Sequence, residues 1–421
     1  MIKQYLKQAF QMLQENRLVT VISIAGTAIS IAMIMIVVLV FQIQFASFYP
    51  ENDRDRMLYV HEGTEVRSSN GWSRGGMSVE AVRECFYSLQ LPEAVSAYAL
   101  GSKPLSVPGK RMYKAYAITY TDPGFWKIFS FRFLAGKPFT QADMDSAIPA
   151  LVLSASTARK IYGTTDVVGK QVMVDMEEYT ICGVVDDVSR AANTAYGDVW
   201  IPYTTDINLM NNSSMENMSG WFSVCMLAKK RADFNPIKAE LKKHIALYNA
   251  TKQEAEINFL NNPISQFDVA IGSIGQRTVE LKDYLAETGG LLLFLLLVPA
   301  LNLLGVTHSA VQKRRMEMGV RKAFGATKGN LLRQVLYENC LITLLGGFTG
   351  LACSFIFLPL CKEFLLKDSD TALHGDMLFQ PAVFVVALLF SLLLNLLSAG
   401  IPAARIARQP IVSSLKDNDV L

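Results

Sequence analysis

Charge is scarce in this chain, and in four stretches it is absent. Only 18% of the 421 residues are Asp, Glu, Lys or Arg, against about 25% in an average soluble protein. Residues 18–50, 288–312, 339–361 and 377–404 hold no charged residue at all. Each run exceeds the roughly 20 apolar residues that cross a hydrocarbon core about 30 Å thick. Four such runs do not fit inside one water-soluble core, so the sequence predicts four transmembrane helices. The same absence argues against a proton- or ion-coupled carrier, whose pathway needs ionisable groups inside the spans.

Other absences narrow the chemistry. No Gly-x-x-x-x-Gly-Lys-Ser/Thr loop occurs, so the sequence offers no cradle for nucleotide phosphates. Gly136-Lys137 and Gly169-Lys170 lack both the glycine spacing and the hydroxyl residue. The histidines are few and scattered, at 61, 244, 308 and 374, which argues against a histidine-built metal centre. No motif suggests a nucleophile. The sequence predicts no catalysis by this polypeptide, no cofactor and no metal. Three of the six cysteines, Cys85, Cys182 and Cys225, fall between the first two spans at irregular spacing. They are expected as buried thiols and not as a disulfide framework.

What charge there is sets the orientation. Lys3, Lys7 and Arg17 precede the first run. Lys313, Arg314, Arg315, Arg321, Lys322, Lys328 and Arg333 lie between the second and third, and Arg405, Arg408 and Lys416 follow the fourth. By the positive-inside rule both termini and the 313–338 loop are cytoplasmic, and residues 51–286 lie outside. The overall charge of +3 is then a sum of unlike parts and implies no nucleic acid. The expected order is an interfacial amphipathic helix (1–17), a first span and stalk (18–50), an extracytoplasmic domain (51–286) and a second span (287–312). A coupling helix and loop (313–338), a third span (339–361), a short outer loop (362–376), a fourth span (377–404) and a cytoplasmic tail (405–421) follow. The first run is far longer than a signal peptide's apolar segment and is read as a retained helix.

The outer segment mixes strand and helix signals, which makes it an α+β domain. Residues 111–121 and 179–185 read as strands, and 154–162 and 236–248 as helices. Residues 208–220, rich in Asn, Ser and Met, read as a flexible loop. A helix over 272–287 would run on into the second span. Within the spans, Gly26 and Ser30 are four residues apart, and Gly346, Gly350 and Ser354 form a stripe. Small residues at that spacing let helices approach closely in lipid. Asn302 and Asn395 are expected to hydrogen-bond between helices.

The 313–328 loop interleaves charges and small residues at helical spacing. A Gly-Ala-Thr break follows, and Thr327 is placed to cap a new helix. Such a short charged helix between two spans suits docking against a soluble partner. Here the sequence resembles the FtsX-like permeases, whose loop reads R-x-x-E-[IM]-G-[IV]-R-[KR]-A-x-G-A. Arg314, Glu317, Gly319, Arg321, Lys322, Gly325 and Ala326 stand at the matching places. The tail from Pro402 to Pro410 is similar to the family's ending. Residues 121–136, with Pro123, Phe125, Trp126, Ile128, Phe129, Phe131 and Gly136, resemble the MacB-type periplasmic core. So do Leu151–Ser154, Val168–Lys170, Tyr179–Asp186 and Trp200–Pro202. On the residues alone, Phe125, Trp126, Phe129 and Phe131 form a hydrophobic core.

The resemblance implies an ABC transporter permease of the bacterial inner membrane, with a MacB-type periplasmic domain. Its partners would be a separate ATPase subunit, which binds ATP and Mg, and a second permease chain, identical or related. The lipid bilayer and a periplasmic adaptor or outer-membrane protein complete the set. ATP-driven closure would move the coupling helix and, through it, the outer domains, for export or extraction of a peptide, lipoprotein or hydrophobic compound. The competing reading is an FtsX-like regulator that activates a cell-envelope hydrolase and transports nothing. The large outer domain favours transport.

Overall fold

The computed structural model describes residues 17–61, 64–68, 71–108, 114–272, 279–286, 289–290, 320, 324–325 and 327–366, with scattered helical residues between 384 and 396. The chain divides into two compact units, with boundaries between Gln42 and Ile43 and between Tyr284 and Leu285. The expected interfacial helix, nearly all of the second span, and the tail lie outside the described residues. So do Asn302 and Asn395.

In the first unit the long elements are α1 (Arg17–Phe45, 29 residues) and a final helix (Lys328–Leu366, 39 residues). At about 1.5 Å per residue they are roughly 43 and 58 Å long. Among the described residues no helix is long and apolar enough to cross a membrane. The final helix merges the helix expected after Thr327 with the third charge-free run and continues into the expected outer loop. Thr327 begins it: the Asn330 amide donates to Thr327 Oγ1 at 3.3 Å. α1 stops at Phe45, short of the stalk expected to 50. The cause is local: Pro50 disfavours helix at Tyr49, and Phe48 and Tyr49 are buried.

The second unit is α+β. Its main sheet has ten strands, nine of them in the order β14–β1–β12–β4–β5–β10–β7–β9–β6, with β8 pairing β4 and β9. The strands are β1 (Met57–Val60), β4 (Ala94–Ser106), β5 (Ala115–Thr121), β6 (Phe133–Gly136), β7 (Ala150–Ser154), β8 (Gln171–Val174), β9 (Glu177–Val185), β10 (Val199–Pro202), β12 (Ser223–Leu227) and β14 (Ile264–Ser265). Strand β7, Ala-Leu-Val-Leu-Ser, is buried at every position, as a central strand covered on both faces must be. It runs parallel to β9, and α2 (Ala155–Tyr162) forms part of the crossover between them. Ser154 caps α2 by accepting the Thr157 amide. Gly163, at φ 76°, ends it in the left-handed conformation that glycine adopts without penalty. Asp175 and Met176, at φ 49° and 73°, close the β8–β9 hairpin with the twist that a two-residue turn requires.

A second sheet, β11–β3–β2–β13, contains β2 (Thr64–Ser68), β3 (Gly71–Met77), β11 (Ser219–Gly220) and β13 (Ala255–Asn258). Helix α3 (Phe234–Ala250) buries Ile237, Leu241 and Tyr248 in the same cluster as Phe86 and Phe259. Its Asn249 side chain donates to the Ile257 carbonyl and accepts the Ile257 amide, both at 3.0 Å. One amide side chain thus occupies the outer edge of β13.

The aromatic run does form core. Phe125 and Phe129 have ring centroids 4.5 Å apart, and Phe131 meets Trp200 at 5.2 Å. Trp126 packs on Phe131 at 5.0 Å. Edge-to-face pairs of this kind add about 0.5–1.5 kcal/mol beyond burial. Cys85 and Cys225 are free and buried, and Cys182 is free and half-buried. Burial pushes the Cys85 and Cys182 thiols up to about 12.

The expectation of a flexible loop at 208–220 is overturned. Met218 is fully buried, and Ser219 and Gly220 pair with β3. Met215, Glu216 and Asn217 all hold positive φ, a costly geometry that needs fixing from outside. The Glu216 carboxylate accepts the Gln253 and Glu254 amides, and the Ser78 amide donates to Met218 O at 3.0 Å. Residues 281–286 are helical. Residues 273–278, earlier in the expected connecting helix, lie outside the described set.

Candidate functional site

Of the expected coupling-helix residues, Arg314, Glu317, Gly319, Arg321, Lys322 and Ala326 lie outside the described set. Gly325 is described, at φ +91°. The Phe324 amide donates to Val320 O at 3.1 Å, so a helical turn ends in a left-handed glycine before Thr327 opens the next helix. Phe324 is 88% exposed there.

The expected packing residues in the first unit come together in part. A Cβ added at Gly346 would lie 2.7 Å from Thr27 Cβ and 3.3 Å from Ile24 O. At Gly350 it would lie 2.6 Å from Ala28 O and 3.1 Å from Ile31 Cβ. The final helix therefore meets the backbone of α1 at two glycines one turn apart. Ser30 and Ser354 are buried, and Ser354 Oγ donates to Leu351 O at 2.7 Å. Gly26 is half-buried. On other faces of these helices Val21, Ile22, Ile29, Leu345 and Phe348 are exposed, as are Val386 and Leu389.

Sequence reasoning missed a buried ionic clasp in the second unit, just after α1. Arg54 Nε and Glu51 Oε2 are 2.5 Å apart, and the two side chains are only 3% and 2% exposed. Arg54 also donates to Ala46 O at 3.0 Å and to Ala191 O at 2.8 Å. Its guanidinium lies 4.0 Å from the Phe48 ring centroid. Glu51 accepts the Ala195 amide at 3.0 Å. The Ser130 amide donates to Pro50 O at 2.9 Å, and the Arg132 amide donates to the Tyr49 hydroxyl at 3.1 Å. The residues following α1 are thus bound to two distant loops of the domain core. Glu51 ends the first charge-free run and Arg54 follows three residues later, and charges in that place read as the first solvated residues.

A cleft of about 650 Å³ opens between the two sheets, lined among others by His61, Arg74, Gly75, Tyr98, Asn212 and Trp221. Tyr98 Oη and His61 Nδ1 are 2.7 Å apart. Burial holds the His61 pKa down at about 4 and raises that of Tyr98. The imidazole is therefore neutral at pH 7, the phenol donates to Nδ1, and Nε2 keeps its proton. Among the described residues no group of His, Cys, Asp and Glu could hold a metal ion.

Comparison with known proteins divides the chain into two matches. Residues 20–244 match the family model of the MacB-like periplasmic core domain. Residues 289–411 match that of the FtsX-like permease C-terminal region. The macrolide export ATP-binding/permease protein MacB of Pasteurella multocida is 25% identical over 298 residues, covering 69% of this chain and 41% of that protein. MacB of Chromobacterium violaceum is 24% identical, covering 99% of this chain and 61% of its own length. The ABC transporter permease YknZ of Bacillus subtilis is 22% identical, covering 70% and 68%. This chain therefore spans well under the full length of the MacB proteins it matches. Among solved structures, the periplasmic region of MacB from Actinobacillus actinomycetemcomitans aligns with 52% of this chain and 94% of that one, at 18% identity and a TM-score of 0.36. With the first model alone spanning more than half of its residues, this chain belongs to the family that joins a MacB-like periplasmic core domain to an FtsX-like permease C-terminal region.

Proposed function

We propose that this chain is the membrane permease subunit of an ABC transporter in the bacterial inner membrane. It acts with a separate ATPase and a second permease chain to export or extract a peptide, lipoprotein or hydrophobic compound. The observation that carries this reading is the order of the two family matches, a periplasmic core domain at 20–244 followed by a permease region at 289–411. The R-x-x-E-M-G-V-R-K-A-x-G-A loop falls inside the second. The MacB relatives are named as ATP-binding and permease proteins in one chain, whereas this sequence lacks the phosphate loop. In this reading the ATP and Mg site is that of the ATPase subunit.

The four charge-free runs are the spans, and the exposed Val, Ile, Leu and Phe side chains on α1 and the final helix face lipid. Gly346, Gly350 and Ser354, with Gly26 and Ser30 on α1, let those helices pack closely. Arg314, Glu317, Gly319, Arg321, Lys322, Gly325 and Ala326 form the surface on which the ATPase pushes. The Glu51–Arg54 clasp supports transmission of force, because it ties the residues after α1 to the domain core. No ion-coupled pathway is needed, since the work is done on the outer domain. Affinity purification of the full chain tests the reading. An ATPase is expected to co-purify and to be lost with Glu317→Lys. Absence of an ATPase, or an unaltered complex and activity with Glu317→Lys, refutes it.

A further inference from the structure

The second sheet treats its two edges in opposite ways. On β13, the outer edge is occupied by Asn249, which takes both backbone groups of Ile257. On β3, strand β11 covers only Gly76 and Met77. The chain then leaves the sheet at Trp221. Phe222 exchanges both backbone hydrogen bonds with Met77, each at 2.9 Å, and residues 223–227 continue as β12 of the main sheet. Among the described residues, Gly71–Gly75 therefore has a strand neighbour on the β2 side alone.

That half-open edge borders the cleft. Ser73, Arg74, Gly75 and Gly76 line it from β3, with Tyr98 and Leu100 from β4 and Ser223 from β12. A Cβ at Gly75 would meet nothing within 4 Å, whereas one at Gly76 would strike the Trp221 backbone at 2.7 Å. Trp221 is 62% exposed at the rim. The Glu65 carboxylate pairs with both Arg67 and Arg74.

We infer that this cleft binds an extended polypeptide segment, added as a strand along Gly71–Gly75 in continuation of β11. The backbone edge supplies hydrogen bonds independent of sequence, and side-chain pockets supply preference, the usual division in strand addition. Glycine-rich β3 permits close approach of a second backbone. One large apolar side chain of the peptide rests on Trp221. The site is a property of the outer domain and stands apart from the permease reading.

The test uses the full chain in detergent micelles and an array of seven-residue synthetic peptides. Each is made in a native form and in a form N-methylated at alternate peptide bonds. Native peptides carrying an aromatic residue are expected to bind. N-methylation, which removes the strand's donors and leaves the side chains, is expected to weaken binding at least tenfold. Trp221→Ala is expected to weaken it severalfold without altering the thermal transition. Hydrogen exchange of residues 71–75 is expected to slow on binding. Equal binding of native and N-methylated peptides overturns the inference. So does an array with no binder at millimolar concentration, or protection of residues 71–75 by a small apolar compound and by no peptide.

Discussion

Replacing Arg54 with methionine should be among the most damaging single changes in the second unit. Methionine keeps much of the stem's volume and its contact with Phe48, so the loss is polar. Three donor contacts disappear, to Glu51, Ala46 and Ala191. The Glu51 carboxylate, 2% exposed, keeps the Ala195 amide but has lost its counter-charge. Breaking a buried ion pair from one side costs about 3–5 kcal/mol, because the abandoned charge remains out of water. A domain of this size loses roughly 2–4 °C of melting temperature per kcal/mol, so a fall on the order of 10 °C is expected. Near-ultraviolet circular dichroism of the full chain in detergent, reporting the packed Trp126–Trp200 region, follows the transition. The double variant Glu51→Gln, Arg54→Met removes the stranded charge while keeping an acceptor for Ala195, and should recover about half of the loss. A single variant that loses less than about 1 kcal/mol would place the pair among solvated ion pairs and refute the reasoning. So would a double variant no better than the single.

Other outcomes follow from the same coordinates. His61, held at about 4 against an unfolded value of 6.5, contributes stability that is full above pH 6.5 and is lost as pH falls toward 4. The loss is about 2–3 kcal/mol by pH 4.5, and His61→Gln should remove that part of the difference between unfolding curves at pH 7.5 and 4.5. Gly350→Ala drives a methyl to 2.6 Å from Ala28 O and should cost about 1–3 kcal/mol as overpacking. Gly329→Ala, with nothing within 4 Å, should be neutral or stabilising by up to about 1 kcal/mol. Thermal unfolding of the two variants side by side separates strain from propensity. Cys85 and Cys225, buried and with pKa values raised by burial, should resist maleimide at pH 8 in the native protein and react in denaturant.

Local patterns were legible where local forces decide. The helix at 155–162 announces itself by Ser154 before it and Gly163 after it. The strand at 179–185 follows from a β-branched, apolar run. Phe125 and Phe129 are core in both sequence and structure, whereas Trp126 and Phe131 pack beside them half-buried. The 208–220 segment misleads because its order comes from partners far along the chain: β3, Ser78 and the amides at 253 and 254. Glu51 and Arg54 were equally hidden, since the groups that bury them, Ala191 and Ala195, lie some 140 residues away. The cleft joins residues 61, 74, 98 and 221, a spacing with no periodicity to find.

The Asn249 side chain on β13 has a consequence for crowding. At high local concentration, copies of such a domain meet one another repeatedly. A bare strand edge under those conditions is a polymerisation surface, since each encounter presents one edge to another. By closing the β13 edge from within, at the cost of one amide, the domain limits any ladder of copies. A β3 edge can pair once, but growth of a sheet needs two open sides.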